Sequence, residues 1–220
     1  MMVSGKVLRD AGEGASMVKD GDVVMFGGFG GAGFPFALRD ALAQQPRRGL
    51  TTVANNTDFG ALADAGSLSR VVCSFPTGPS AGSVVRGIED GEIELVLTPQ
   101  GTLAEQLHAA GSGLGGFLTP TGIGTEFADR WDVVRVADVD YLLVTPLKGN
   151  VAFVKASVAD EFGNLAYNKA SRNFNPLMPM AADITVAEVD DLVPVGELAP
   201  EAVHTPGVFV DFVIHVNRGR

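Results

Sequence analysis

The amino-acid sequence predicts an α/β fold. It predicts one domain over residues 1–220, with a mainly parallel sheet flanked by helices and an antiparallel or mixed extension towards the C-terminus. Short apolar runs, typical of strands buried on both faces of a parallel sheet, alternate with helix-like or glycine-rich segments. Hydrophobic residues make up 46% of the 220 residues, enough for one large core, and no linker, repeat or low-complexity tract divides the chain.

The first part of the chain supplies most of the alternating elements. A short helix is predicted around residues 7–19, because the turn signal Asp20-Gly21 follows it. A second helix is predicted from Pro35 to about Ala43, since proline is tolerated in the first turn of a helix. The apolar runs predicted as strands are 23–26, 50–54, RVVCSF (70–75), IELVL (93–97) and YLLVT (141–145).

The pattern changes after Val151. The segments VAFVKASV, LAYNKA and DITVAEVDDLV are strand-like, and turn residues such as Gly163-Asn164 separate them. We therefore expect an antiparallel or mixed extension of the same sheet, not a separate domain.

Composition excludes several classes of function. The net charge of −10 and the lack of a basic block argue against a nucleic-acid partner. The single Cys73 excludes an intrachain disulfide and fits a reducing compartment. His108, His204 and His215 lack metal-ligand spacing, so no metal is expected. With no signal-peptide pattern and no apolar run that could span a membrane, a cytoplasmic protein is expected. Only 19% of residues are charged, which suggests that another protein chain covers some surface.

The loop Gly28-Phe29-Gly30-Gly31-Ala32-Gly33 matches the G-x-G-x-x-G pattern of dinucleotide-binding domains. Two further requirements of that pattern are not met. The following helix is expected only at Pro35, after the third glycine, and the next strand ends in Asn55-Asn56, with Asp58 too late to hold a ribose. A plain turn would need only one or two glycines, so we favour a loop whose backbone approaches a ligand closely, with a purely structural turn as the alternative.

The stretch from Asp20-Gly21 through GGFGGAGFP resembles the signature of the alpha subunit of family I CoA-transferases. Further blocks resemble that family in the same order, over nearly the whole chain. RVVCSFP, AAGSG and NPLMPMAA resemble most the branch that acts on 3-oxoadipate, followed by the succinyl-CoA:3-oxoacid branch. The other matching blocks are NN, TPQGTLAEQL, GSGLGGFLTPTGIGT, VAFVKA, DEFGNLAYNKASRNFN and ELAPEAVHTPGVFVDFVI.

This resemblance implies a ping-pong transfer of CoA from an acyl-CoA, such as succinyl-CoA, to a carboxylic acid. A catalytic glutamate would form a covalent glutamyl-CoA thioester. In the family that glutamate belongs to the beta subunit, within Ser-Glu-Asn-Gly, a motif that this sequence lacks. We therefore expect no catalytic nucleophile here and a heterodimer or heterotetramer in which the partner is a beta subunit. Coenzyme A is expected as substrate, with no permanently bound cofactor.

The resemblance also implies the site residues. Asn55, Asn56 and Gln100 are expected to support the active site, with plain turn roles as the alternative. Phe29 either packs beneath the glycine loop or faces the pantetheine. The segment expected to bind CoA comprises Gly27, Gly28, Phe29, Gly30, Gly31, Ala32 and Gly33.

Other polar residues have more ordinary explanations. Thr102-x-x-Glu105 matches a capping box, in which the glutamate satisfies an N–H at the start of a helix. Lys155, Lys169 and Arg172 are expected at a solvated surface or in an inter-subunit salt bridge. Cys73 is expected to be a small core residue.

The sequence departs from the family pattern at three places. Asn150 stands where relatives usually carry an acid, Asn168 stands where they carry a base, and the turn before Tyr141 lacks its usual glycine. These departures leave open a member that acts on another acid. Two hypotheses of other classes also stay open, namely a nucleotide-binding oxidoreductase domain and a non-catalytic scaffolding paralogue.

Overall fold

The apolar runs form the strands of a nine-stranded sheet in the computed structural model, which describes residues 5–216. Three further strands form a small separate sheet. In chain order the strands are β1 (Val7–Leu8), β2 (Val23–Phe26), β3 (Leu50–Asn56), β4 (Leu68–Phe75), β5 (Glu94–Leu97), β6 (Phe117–Thr119), β7 (Asp132–Val136), β8 (Val139–Val144), β9 (Gly149–Asp160), β10 (Leu165–Ala166), β11 (Ala182–Val193) and β12 (Phe212–His215). The helices are α1 (Ala11–Ala15), α2 (Phe36–Ala43), α3 (Gly60–Asp64), α4 (Gly82–Glu89), α5 (Gln100–Gly111) and α6 (Met178–Ala181).

The large sheet has the order β1-β12-β11-β9-β2-β3-β4-β5, and every neighbouring pair along this path is parallel. Only β10 departs, since it pairs antiparallel with β9. The predicted mainly parallel sheet is therefore confirmed, and its C-terminal extension is mixed only through β10, since β9, β11 and β12 are parallel. The extension joins on the far side of β2, so that this early strand lies in the middle of the sheet.

The alternating pattern placed the run YLLVT in the parallel sheet. The structure places it in the small separate sheet. It forms β8, which pairs antiparallel with β6 and β7. A tight turn at Ala137-Asp138 joins β7 directly to β8, and a connection this short permits only an antiparallel pair. Ala137 has a φ of 51°, in the left-handed region where the family's usual glycine would be unstrained.

The predicted helix over residues 7–19 is mostly wrong. Val7 and Leu8 pair with β12 as an edge strand, and the helix covers only Ala11–Ala15. Asp10 sets its start, because the carboxylate accepts a hydrogen bond from the Glu13 N–H at 2.9 Å.

Apolar side chains fill both faces of the large sheet. One cluster packs α1 to α4 against β2, β3 and β4, with Phe26, Leu38 and Phe153 fully buried. The second packs α5 and α6 on the opposite face, around Leu103 and Met178. No helix among residues 5–216 is long and apolar enough to cross a membrane. This two-sided packing fixes the carboxyl ends of β2 to β5 along one edge, where parallel sheets place ligand contacts.

Candidate functional site

The glycine-rich segment after β2 forms a narrow hairpin. Phe29 and Ala32 exchange backbone hydrogen bonds of 3.1 and 3.0 Å, so Gly30 and Gly31 form the tip. Both tip residues have positive φ, 53° and 86°, as a primed two-residue turn requires. No atom lies within 4 Å of where a Cβ would stand at either residue. The tip is therefore open to anything that approaches this edge of the sheet.

The base of the same hairpin is held by two asparagines that come much later in the chain. Asn173 Oδ1 accepts a hydrogen bond from the Gly28 N–H at 3.1 Å, and Asn173 Nδ2 donates to the Ala32 carbonyl at 2.9 Å. A Cβ added at Gly27 would overlap the side chain of Asn175. Close packing thus explains the glycine at the base, whereas the tip glycines meet open space. The structural alternative therefore accounts for the base of the loop, and the approach of a ligand to its tip stays a prediction.

The start of α2 bears on the dinucleotide-binding alternative. The helix begins at Phe36, one residue later than predicted, and Pro35 is the cap residue that precedes it. Asp58 is only 3% exposed, and its Oδ1 accepts a hydrogen bond from the Ser80 N–H at 3.1 Å. With the helix beginning after the last glycine and Asp58 buried, the two features that hold a dinucleotide on this pattern are absent from the loop's surroundings in the described residues.

A continuous chain of side-chain amides connects the expected support residues with the hairpin tip. Gln100 Nε2 donates to Asn55 Oδ1 at 2.6 Å, and Asn55 Nδ2 donates to Asn56 Oδ1 at 2.6 Å. Asn56 Oδ1 also accepts from the Gly30 N–H at 3.0 Å, and Asn56 Nδ2 donates to the Thr77 carbonyl at 3.3 Å. Each side-chain amide has two N–H groups, so each of the three retains one donor beyond this chain. The structure brings the predicted residues together as a fixed set of neutral donors.

The N-terminus of α5 adds backbone donors to this set. Gln100 is the first helical residue, and the first intrahelical bond runs from the Leu103 N–H to the Pro99 carbonyl at 2.9 Å. The N–H groups before Leu103 therefore point out of the helix towards the strand ends, where they favour negative charge. The predicted capping box is wrong: Thr102 already lies inside the helix, and Glu105 contacts His108 at 3.1 Å.

Two cavities flank the half-exposed ring of Phe29. One, of 470 Å³, lies against the amide chain, and the other, of 260 Å³, lies against the start of α5 and the Asn173 segment. The larger is lined by Phe29, Gly30, Asn55, Asn56, Ser74, Phe75 and Gln100. The smaller is lined by Phe29, Gln100, Gly101, Ala104, Asn173, Phe174 and Leu177. No carboxylate, thiol, lysine or histidine lines either cavity among the described residues.

The thiol of Cys73 is poorly placed to act as a nucleophile. Cys73 precedes Ser74 in β4 but is fully buried, as predicted. Burial raises the pKa of its thiol to about 11, so the reactive thiolate is scarce at neutral pH. Within residues 5–216, no group of three or more His, Cys, Asp or Glu could hold a metal ion.

Lys155 was expected at a solvated surface or in an inter-subunit salt bridge. The structure instead buries it within the chain. It is 4% exposed, and its Nζ lies 3.5 Å from a Glu188 carboxylate oxygen and 2.6 Å from Asp190 Oδ1. Glu188 also accepts hydrogen bonds from the first N–H groups of α2, at 2.8 Å from Ala37 and 3.3 Å from Leu38. Burial raises the pKa of Glu188, although Lys155 and these N–H groups act in the opposite direction. The group joins β9, β11 and the helix that follows the glycine loop.

Of the other two cations, Arg172 is exposed and contacts His204 within the chain, and Lys169 is exposed in the same short 3-10 turn.

The departures from the family pattern lie at different distances from the site. Asn150 accepts a hydrogen bond from the Val23 N–H at 2.9 Å, at the amino edge of the sheet and thus away from the amide chain. Asn168 precedes the 3-10 turn that leads to Asn173.

The roles of Asn173 and Asn175 were not predicted from the sequence. Both lie in the segment SRNFN, which was noted only as part of a matching block. Two asparagines flanking an aromatic residue are a weak signal on their own. Only the crossing from β9 to α6 brings them beneath the glycine loop.

Comparison with known proteins agrees with the resemblance. The family described as Coenzyme A transferase matches residues 9–216. The chain is 43% identical over 209 residues to the A subunit of the 3-oxoadipate CoA-transferase of Acinetobacter baylyi, covering 93% of this chain and 92% of that protein. It is 40% identical over 220 residues to the A subunit of the succinyl-CoA:3-ketoacid coenzyme A transferase of Helicobacter pylori, covering 97% and 92%.

Solved structures share the fold. An acyl-CoA transferase of Escherichia coli O157:H7, solved as a thioester complex with CoA, superposes with a TM-score of 0.86 at 22% identity. The match covers 97% of this chain and 48% of that one. This chain thus spans about half the length of that transferase, whereas it spans nearly all of the two relatives from A. baylyi and H. pylori.

Proposed function

Because this chain belongs to the coenzyme A transferase family, we propose that it is the α subunit of a heteromeric CoA-transferase completed by a β subunit. The assembled enzyme moves CoA from an acyl-CoA, succinyl-CoA in our proposal, to a 3-oxo acid. We favour 3-oxoadipate as the acceptor, in line with the A. baylyi relative. Acetoacetate is the second candidate, because the relative from H. pylori is named for 3-ketoacids.

One observation carries this proposal: the cavity beside the glycine loop combines several hydrogen-bond donors with no ionisable group. Acyl transfer needs donors aimed at the developing oxyanion and a nucleophile that attacks the carbonyl. The amides of Asn55, Asn56 and Gln100 supply the first requirement. No residue lining this cavity supplies the second, and in our proposal it comes from a glutamate on the β subunit.

The proposed reaction has two halves. The β-subunit glutamate attacks the acyl-CoA carbonyl, CoA leaves as thiolate, and an acyl-glutamyl anhydride forms. The thiolate then attacks the glutamyl carbonyl of that anhydride, which releases the free acid and leaves a glutamyl-CoA thioester. The acceptor carboxylate takes CoA by the same steps in reverse. Each step places negative charge on a carbonyl oxygen, where a single fixed donor contributes about 10²- to 10³-fold in rate.

The glycine hairpin has the properties of a CoA contact. Its tip at Gly30 and Gly31 lets a ligand reach the backbone, and the Gly31 N–H has no hydrogen-bond partner among the described residues. Phe29 is 48% exposed and stands between the two cavities, so its ring offers an apolar wall to the pantetheine arm. The first-turn N–H groups of α5 face the same space.

The test is to purify this chain alone and together with a candidate β subunit from the same genome. Succinyl-CoA is supplied with 3-oxoadipate or, separately, with acetoacetate, and acyl-CoA formation is followed. We expect transfer only with both chains present. Mass spectrometry after incubation with acyl-CoA alone should find the CoA adduct on the β chain. An adduct on this chain, or transfer by this chain alone, would refute the proposed division of the site.

A further inference from the structure

A third cavity, of 540 Å³, lies next to the amide cavity at the carboxyl ends of β4 and β5. We call it the acceptor cavity. It shares Ser74 with the amide cavity, and the buried Ser74 hydroxyl has no hydrogen-bond partner among the described residues. The amide cavity lies at the end of β3 and the acceptor cavity at the end of β5, with β4 between them, and adjacent strands lie about 4.8 Å apart. The acceptor cavity is lined by Ser74, Leu95, Leu97, Thr98, Pro99, Thr125, Glu126, Phe127 and Arg130.

Arg130 is the only cation among the residues that line these three cavities. It has neither a salt bridge nor a side-chain hydrogen bond within the described part of the chain. It is the last residue of a 3-10 turn whose flanking residues Phe127 and Trp131 pack against each other, with ring centroids 6.0 Å apart and planes tilted by 51°. Because Phe127 is also packed against the buried Leu142, the position of the turn is fixed on the small sheet.

We propose that Arg130 binds the second carboxylate of a dicarboxylic 3-oxo acid and thereby determines the specificity of the enzyme for its acceptor. The inference rests on the proposed function and refines it. The reacting carboxyl lies by the amide donors, the carbon chain passes Ser74, and the distal carboxylate enters the acceptor cavity. A guanidinium suits this role, because it offers two parallel N–H groups to one carboxylate and stays charged at every physiological pH.

The walls of the acceptor cavity agree with a short carbon chain. Leu95, Leu97, Pro99 and Phe127 are apolar, and Leu97 is 49% exposed although it is a large hydrophobic residue. Glu126 is the only acidic group in the lining, and it opposes an anion. Its charge therefore weakens binding of a dicarboxylate. Neutralising Glu126 should have the opposite effect to neutralising Arg130 in the same cavity.

The experiment uses the complex of this chain with its β chain and compares the kcat/KM values for 3-oxoadipate and acetoacetate. We expect Arg130→Gln to raise the KM for 3-oxoadipate about tenfold or more, because it removes a charge-assisted hydrogen bond. The KM for acetoacetate should change by less than about twofold. Arg130→Lys should recover part of the loss, and Glu126→Gln should lower the KM for 3-oxoadipate. Arg135→Gln, an exposed arginine on β7 outside the lining, is the matched control and should change neither.

Several results would overturn the inference. Equal losses with both acceptors would mean that Arg130 does not distinguish them, and an unchanged KM would mean that it does not touch the acceptor. A variant that no longer binds the β chain would place Arg130 in the interface between the two chains. Failure of the proposed function looks different, since the unmodified complex would then transfer CoA to neither acid. A complex active on acetoacetate but not on 3-oxoadipate would keep the function and reject the role of Arg130.

Discussion

Replacing Lys155 with methionine should destabilise the fold by about 3 kcal/mol at pH 8. The side chains of Lys155 and Glu188 are 5% and 2% exposed, so the variant leaves a carboxylate buried without its cation. Removing one partner of a buried pair costs about 3–5 kcal/mol. We expect the lower end, because two N–H groups of α2 still hold the carboxylate. For a chain of this size, that is a fall in Tm of about 6–12 °C.

The effect should depend on pH. Burial already raises the pKa of Glu188 in the folded protein, and removing Lys155 removes the largest influence that lowers it. A carboxyl with a raised folded pKa binds its proton more tightly in the folded state than in the unfolded state. Stability therefore falls as the pH rises from the unfolded pKa through the folded one. The Lys155→Met variant should thus be closer to the unmodified protein at pH 5 than at pH 8.

Urea unfolding of the full chain at both pH values measures these differences. Arg135→Met removes the exposed pair of Arg135 with Asp140, whose side chains are 60% and 45% exposed, and should cost less than about 1 kcal/mol. In the double variant Lys155→Met/Glu188→Gln, no buried carboxylate lacks its cation, and most of the stability should return. A loss below about 1 kcal/mol for Lys155→Met, or a double variant as unstable as the single one, would refute this account of the buried group.

Four further outcomes are expected. Gln100→Ala should lower kcat of the assembled enzyme about 10²-fold in steady-state assays, while circular dichroism stays unchanged, because the variant lacks the amide that we propose as an oxyanion donor. Gly27→Ala should cost about 1–3 kcal/mol in urea unfolding, because the methyl group meets Asn175. Ala137→Gly should raise stability by about 0.5–1 kcal/mol in the same assay, since it relieves a φ of 51°. Cys73 should react with iodoacetamide at pH 8 only as fast as the protein unfolds, which mass spectrometry can follow.

The sequence alone located the polar groups that directly follow strands. Asn55 and Asn56 end β3, and Gln100 comes three residues after β5. Parallel strands bring such positions to one edge, so their meeting follows from the order of the elements. The glycine loop could be placed for the same reason, because it directly follows β2.

Other features depend on contacts between distant segments, which no local pattern reports. Lys155 resembled a surface cation until β11 placed Glu188 beside it on the neighbouring strand. The pattern Thr102-x-x-Glu105 matched a capping box, yet Pro99 had already set the start of α5. In each case the residue type was informative, and its neighbours in the fold decided its role.

The position of β2 has a consequence for how the chain matures during synthesis. This strand is made early, but one of its two neighbours is β9, and its first residue Val23 bonds to Asn150, 127 residues later. The hairpin after β2 acquires its base only when Asn173 emerges, 145 residues after Gly28. Contacts this distant in sequence form slowly, and the edge of β2 that pairs with β9 has no partner until β9 has been synthesised. A nascent chain halted before residue 173 therefore lacks the side chain that holds the base of the glycine hairpin, so the finished loop becomes available only near the end of translation.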